Sequence, residues 1–373
     1  LRLVIGLFLS LAGVALALLG FATLPPQAQQ KRNAGGKSAD PLVPALFDCS
    51  RIQQMGIDMQ ENMRAAPIMI YCGEEAGGEE EAASPFPAPL DKLLEPLALG
   101  TTDTDLITGT ETPNNITQSE TFAAANPDNP LQIVVAYNDS RGRNQTPINI
   151  SGASVSTDGG NTFVRLTTAS GQSPFTNTLG DPVVLYNKPT ATWYTVWLDQ
   201  GCGAQGLGGY KSTTPWDATS WTHFCVHSGG SDDRESGWVD NNPASPFFGR
   251  MYISWNDFAR GQVIFVRYST DNGATWTNER QVSTAFFRNV QITGDMGGSG
   301  DIYIAAMDEM GGGLTNRANR FYRSTDGGNT WTNTYTGPTF PGPGRGASGF
   351  FACMFNSPAY WRHQGWGQPA ALN

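Results

Sequence analysis

From about Thr102 onward, short runs rich in Val, Ile, Tyr, Phe and Trp alternate with Gly, Asn and Asp turns. The clearest runs are LQIVVAYND, TWYTVWLD, RMYISWND, QVIFVRYS and DIYIAAMD. Apolar stretches of this length between turn formers predict a succession of strands with no convincing helix. The N-terminal part reads differently. Asp48–Arg64 carries Ile52, Met55, Met59 and Met63 three or four positions apart, which predicts one face of an amphipathic helix docked on its own chain. Pro67 is expected to end that helix, and the IMIYC that follows is expected to be extended. Residues 1–24 are an apolar run behind Arg2, followed by PPQAQQKR. This predicts a secretory signal peptide over 1–28; an uncleaved anchor helix is the alternative, since about 20 apolar residues span a bilayer. Either way the rest lies outside the cytoplasm, secreted, periplasmic or at the cell surface.

Residues 29–72 then read as a linker and a Cys-flanked helical segment. Residues 73–104 read as a flexible Gly/Pro/Glu-rich linker, with Glu74, Glu75, Glu79, Glu80 and Glu81 close together. Nothing in that acidic run fixes the ligand geometry that calcium needs. The strand-rich domain occupies 105–373.

An octapeptide recurs within it. Ser156–Phe163 reads STDGGNTF, Ser269–Trp276 STDNGATW and Ser324–Trp331 STDGGNTW, while Ser212–Trp221, STTPWDATSW, is a degraded copy with Thr214 in place of the Asp. The four serines are 56, 57 and 55 residues apart. The motif is a hairpin turn: the Ser and Asp side chains bond the turn's own N–H groups, and Gly160, Gly273 and Gly328 take a positive φ without steric cost. The closing aromatics Phe163, Trp276 and Trp331 start the next strand and pack between neighbouring sheets. Asp158, Asp271 and Asp326 are therefore expected to be structural. Each period holds about four strands, which predicts blades at about 117–170, 178–228, 233–284 and 287–338.

These octapeptides resemble the Asp-box (BNR) repeat of the sialidase superfamily. Asn115–Thr121 (NITQSET), Asp181–Val184 (DPVV), Asp233–Asp240 (DRESGWVD) and Trp255–Asp257 (WND) also look like secreted bacterial sialidase-like propellers. The resemblance covers roughly 105–373 and implies an all-β, sialidase-like β-propeller. That family has six blades. About four and a half are present here, the fifth beginning near Arg345 with ASGFFACMFN, so the domain is expected to be truncated at its C-terminus and the chain to be a fragment of a longer reading frame. The resemblance also implies three Arg on a substrate carboxylate, a Tyr nucleophile with a Glu, and an Asp acid/base. The chain departs from this: the early Arg-Ile-Pro motif is absent, its region reading SETFAAANP, and no Tyr–Glu pair can be assigned.

Composition narrows the function. The formal net charge is −10, which argues against a nucleic-acid partner. The three His, at 223, 227 and 363, form no metal-type cluster with Cys, so no metal and no cofactor is expected. Cys49 with Cys72 and Cys202 with Cys225 each flank a short segment and are candidate disulfides in an oxidising compartment; Cys353 is left over. The alternative is five reduced, buried thiols.

Ligands of propellers meet the face near the central channel, and the Asp-box turns of sialidases lie on the opposite rim. By that rule the candidate catalytic residues are Asp233, Arg234 and Glu235, and the candidate ligand-binding residues are Glu120, Asp181, Asp295 and Arg345. Each has a bland reading: a salt-bridged loop at 233–235, a capped turn at Asp181, a buried backbone or Arg partner for Glu120. Trp361, Arg362, His363 and Trp366 form a further aromatic, basic cluster, readable as a sugar-stacking patch or as core. The expected function is binding or processing of an extracellular glycan or glycoprotein, with an exo-sialidase as the enzymatic form. The alternative is a non-catalytic protein-interaction scaffold. No membrane role is expected beyond the signal segment.

Overall fold

A computed structural model describes residues 40–60, 62–74, 118–168, 170–308 and 316–341, together with positions 104, 106–107 and 369–371. The signal segment, most of the acidic linker, Arg345, Cys353 and the Trp361–Trp366 cluster lie outside the described residues.

The described chain is all-β apart from short helical pieces. Four antiparallel sheets follow one another, each a meander in sequence order. The first holds β1 (Gln118–Asn126), β2 (Asn129–Asp139), β3 (Ser151–Ser156) and β4 (Val164–Arg165). The second holds β5 (Val183–Asn187), β6 (Thr192–Asp199), β7 (Gly206–Ser212) and β8 (Thr222–His227). The third holds β9 (Asp232–Val239), β10 (Met251–Asp257), β11 (Val263–Ser269) and β12 (Arg280–Gln281). The fourth holds β13 (Arg288–Gly294), β14 (Ile302–Asp308), β15 (Asn316–Ser324) and β16 (Thr332–Thr336), with β17 (Phe340–Pro341) also pairing β15. The four sheets fall in the four expected spans. β5 lies beside β1, β9 beside β5 and β13 beside β9. First strands side by side, with each sheet running outward, are consistent with consecutive blades of a β-propeller.

Side-chain alternation explains why the sheets stack. Val183 and Leu185 of β5 join a core with Ile253, Trp255 and Phe265 of the third sheet. Val184 and Tyr186, on the other face, join Val134, Ala136 and Val155 of the first sheet. On β11, Val263 and Phe265 face the second sheet, while Ile264 and Val266 face Ile292, Ile302 and Ile304 of the fourth. A sheet buried on both faces needs apolar residues at consecutive positions, which is why these strands read as unbroken runs. Trp193, Trp197 and Trp255 are fully buried. An aromatic of this size removes 150–250 Å² from water, about 4–6 kcal/mol of transfer free energy.

The repeat turns join third to fourth strands. Ser156 Oγ lies 2.7 Å from Asp158 Oδ1 and accepts from Gly160 N at 2.9 Å, while Thr162 donates its N–H (2.9 Å) and hydroxyl (2.6 Å) to Asp158. The same pattern holds at 269–275 and 324–330. Trp276 stacks on Phe224 of the preceding sheet, centroids 6.3 Å apart. In the degraded copy, Ser220 replaces the Asp as the partner of Ser212 (Oγ–Oγ 2.6 Å), and Asp217 caps its own turn instead.

The N-terminal segment differs from expectation. No single helix covers Asp48–Arg64. Two 3₁₀ turns (Cys49–Arg51 and Ile57–Met59) flank Gly56, whose φ of +59° interrupts the helix, and α1 spans Ala65–Tyr71. Pro67 sits in the first turn of α1, where its missing N–H leaves no hydrogen bond unmade, so it does not end a helix there. IMIYC is helical rather than extended. Cys49–Cys72 and Cys202–Cys225 are both disulfides, with Cα atoms 5.5 and 5.6 Å apart. Among the described residues no helix is long and apolar enough to cross a membrane.

Candidate functional site: a carboxyl cavity at the inner-strand starts

In a four-strand meander, the end at which the first strand begins is also where the second ends, and the turn between third and fourth strands lies at the other end. The repeat turns and the starts of β1, β5, β9 and β13 are therefore on opposite rims.

At the inner-strand starts the ladder is interrupted at the same place in three sheets. Pairing jumps between Ser119 and Phe122 on β1, between Asp233 and Ser236 on β9, and between Arg288 and Gln291 on β13. Each jump adds one residue to the inner strand, the signature of a β-bulge. Glu120 and Arg234, inside two of these bulges, have φ of +52° and +59°, and Asp181, just before β5, has +57°. Non-glycine residues pay on the order of 1–3 kcal/mol in such conformations, and the strain concentrates at functional sites.

The result is a convergence. Glu120, Asp181, Arg234 and Glu235 line one cavity of about 100 Å³, with Phe122, Pro182, Ser236 and Gln291 completing it. Asp233 lies behind the lining, fully buried. Asp181 is 7% exposed and its carboxyl is raised well above the usual range: burial is the largest cause, followed by the neighbouring Glu120 carboxyl and then the charges of Asp233 and Glu235. A like charge beside a buried carboxyl favours its protonated form. Glu235 is also raised well above its ordinary value, first by burial and then by Asp233 and Asp232; Arg234 opposes the shift. Neither oxygen of Glu235 accepts a hydrogen bond from another described residue.

Asn138, at the end of β2, positions two members. Its Nδ2 donates to Glu120 Oε2 at 2.9 Å, and its Oδ1 accepts from Asp181 N at 2.7 Å. Gly180 packs so tightly here that a Cβ would lie 2.4 Å from Asn138 Oδ1. Asn138 was not among the sequence candidates. Its signal was the Asn-Asp pair that ends both YND and WND. In that pair the Asp serves the rim: Asp139 and Asp257, like Asp199 after Leu198, each accept the N–H two residues on. Each also meets a basic side chain: Arg141 and Arg165 on Asp139, His223 on Asp199, Arg260 on Asp257.

The other sequence candidates lie elsewhere. Asp295 follows the far end of β13 and closes a tight turn, accepting Gly297 N and Ser299 N at 2.9 Å each. The Ser299 hydroxyl first, and then those two N–H groups, hold its carboxyl below the usual range. Arg345 is outside the described residues. His223 and Cys225 approach Cys202, but the two sulfurs are bonded to each other and offer no metal ligand. His227, Asp232 and Asp257 are the other close group. Here Nδ1 of His227 faces Asp232 at 2.6 Å and Nε2 faces Glu279 at 3.0 Å, so both ring nitrogens are engaged by carboxylates.

The N-terminal segment crosses this same rim and touches all four sheets or their rim loops. Asp40 pairs with Arg143, Arg64 donates to Ala204 O at 3.0 Å, Gln60 Nε2 donates to Ser231 Oγ at 2.5 Å, and Arg288 Nη1 donates to Met59 O at 2.6 Å. Gln60 is fully buried and also accepts from Gln205. Cys49–Cys72 closes this strap into a loop.

No protein-family model matches the chain, and no curated protein matches it. Three solved structures are similar in part. The exo-β-1,3-galactanase of Phanerochaete chrysosporium is 16% identical over 55% of this chain and 47% of its own, with a TM-score of 0.35. The catalytic domain of the GH62 α-L-arabinofuranosidase of Coprinopsis cinerea is 13% identical over 62% and 72%, TM-score 0.40. The α-L-arabinanase of Penicillium chrysogenum, complexed with arabinobiose, is 12% identical over 59% and 68%, TM-score 0.42. The chain spans about half the length of the first. At scores this low the likenesses carry no argument about activity. None of these three is a sialidase, so the sialidase resemblance is carried by the sequence motifs alone.

Proposed function

We propose that this is an exported β-propeller protein that binds and processes extracellular glycans at the inner-strand carboxyl cavity. One observation carries the reading: buried carboxyls with raised proton affinity converge with an arginine on one cavity. Glycosidic bond cleavage needs a carboxyl that stays protonated near neutral pH to give its proton to the leaving oxygen, and a second carboxylate to act as base or nucleophile. Glu235 and Asp181, the latter beside Glu120, supply carboxyls of raised proton affinity. Asp233 holds those affinities up by its charge, and Arg234 supplies a planar donor for a substrate oxygen or carboxylate. The sialidase form of this proposal rests on the Asp-box repeats and Arg234. The two disulfides support an oxidising, extracytoplasmic compartment.

The test is release of free sialic acid from a mixed sialylated glycoprotein, run beside a panel of neutral nitrophenyl glycosides, with heat-killed protein as control. Release of sialic acid, lost in Glu235→Gln, supports the sialidase form. Release from a neutral glycoside only, lost in the same variant, supports a different glycosidase. No turnover of any substrate by protein shown to be folded removes the catalytic reading. One observation favours the second reading, a non-catalytic scaffold: the N-terminal strap lies across the rim at which the cavity is built.

A further inference from the structure

On the opposite rim, between the second and third sheets, lies a groove of about 280 Å³, larger than the carboxyl cavity. Pro189, Pro246, Phe247 and Phe248 form its apolar walls, and the Phe248 ring is 39% exposed. Asn187 lies at its floor, 2% exposed. Its Nδ2 donates to Gly249 O at 2.8 Å, which ties the floor to the wall; its Oδ1 is buried. The Asp-box turn of the third sheet closes one end, where Thr190 Oγ1 donates to Asn272 Oδ1 at 2.7 Å and Tyr194 Oη reaches the same oxygen. Gly249, with φ of +83°, keeps the floor open; a Cβ there would lie 3.0 Å from Pro189 Cγ.

We propose that this groove is a binding site for a neutral saccharide, separate from the carboxyl cavity and independent of any activity there. Two features select that ligand class. An exposed phenyl face beside proline rings offers a flat apolar surface, which matches the C–H face of a sugar ring. The polar lining is made of neutral amides and hydroxyls. The one charge in the groove, Arg250, is engaged within the protein: its guanidinium lies 4.5 Å from the Phe247 centroid and 4.3 Å from that of Tyr268, and Nη1 donates to Gly327 O at 2.6 Å. A phosphate or carboxylate therefore meets a guanidinium already stacked and bonded within the protein. A proline-rich peptide is the other ligand that stacks on aromatic grooves, and the experiment separates the two.

The experiment is isothermal titration calorimetry of the full chain against xylotriose, cellotriose, β-1,3-galactotriose and a polyproline peptide. Saturable binding of at least one triose is expected. Phe248→Ala should weaken it at least about tenfold, and Phe248→Trp should retain it. Phe248 is exposed, so these variants keep the fold, which circular dichroism verifies. Failure of every saccharide to bind the folded protein overturns the proposal. So does binding that Phe248→Ala leaves unchanged, which would place the sugar in another site and leave the carboxyl-cavity reading standing. Phe248-dependent binding of the polyproline peptide alone would make the groove a peptide site and also overturn it. Loss of glycan turnover in a carboxyl-cavity variant has no bearing on this result.

Discussion

Asp158, Asp271 and Asp326 on one rim, and Asp181 and Glu235 on the other, are the same kind of group at opposite ends of the stacked sheets. The first set sits in turns whose own Ser, Thr and backbone N–H groups bond each carboxylate. Hydrogen bonds from Thr162 and Thr275, the leading cause in each case, pull Asp158 and Asp271 down to about 2. The second set is buried among other carboxyls with few donors, and its proton affinity rises. What separates the two is whether the local chain satisfies the charge. A carboxylate satisfied by its own turn is committed to structure. One left short of donors in a cavity retains the capacity to hold a proton or meet a ligand.

The sharpest way to break this comparison is to remove one member of each set. Glu235→Gln should lower glycan turnover by at least about a hundredfold, the scale of a lost general acid or base. Asp326→Ala should leave turnover unchanged while lowering stability by about 1 kcal/mol, the scale of a lost turn or cap hydrogen bond, read from urea melts. Buried Gln60 ties the strap to Ser231 and Gln205, so Gln60→Ala should destabilise by about 1–3 kcal/mol through the partners it leaves unpaired. Proteolysis should then cut first within the strap.

The pH dependence separates the sets by sign. Asp181 and Glu235 have raised native pKa values, so their stabilising contribution is complete below the unfolded values of 3.8 and 4.5. It is lost as pH rises through the native ones. Glu235→Gln and Asp181→Asn should therefore raise Tm at pH 7, by about 2–4 °C for each kcal/mol of relieved charge burial. The Asp-box carboxylates have depressed values, so their contribution is present above 3.8 and lost as pH falls toward about 2. Thermal melts from pH 2 to 8 should flatten on the acid side in Asp271→Ala and on the neutral side in Glu235→Gln. The smallest effect is that of His223, whose pKa is raised first by its hydrogen bond to Asp199. His223→Ala should remove a modest stability present below 6.5 and lost as pH rises through the elevated value, measured as the difference in Tm between pH 6 and pH 8.

Much of the fold was legible because its signals are local. The repeat turns close through bonds between residues two to four positions apart, and strands buried on both faces leave continuous apolar runs. The N-terminal helix was misjudged because a spacing of three and four in Ile52, Met55, Met59 and Met63 fits a helix that Gly56 interrupts and the disulfide folds back. At the site, Glu120, Asp181, Arg234 and Glu235 were legible as inner-strand charges, but Asp295 was drawn in by the same rule. The rule pointed to the rim opposite the Asp-box turns, and Asp295, just past the far end of β13, lies on the other one. Asn138 escaped notice because its role appears only when two sheets meet.

The sequence alone determined the period, the four meanders and the turn chemistry, all of which are set by short-range hydrogen bonding and side-chain alternation. Only the tertiary structure decided which charges meet. Asn138 and Asp181 are 43 residues apart, and Gln60 and Ser231 are 171 apart. Such contacts depend on how successive sheets stack around their first strands, and no local pattern encodes a distance across that stack.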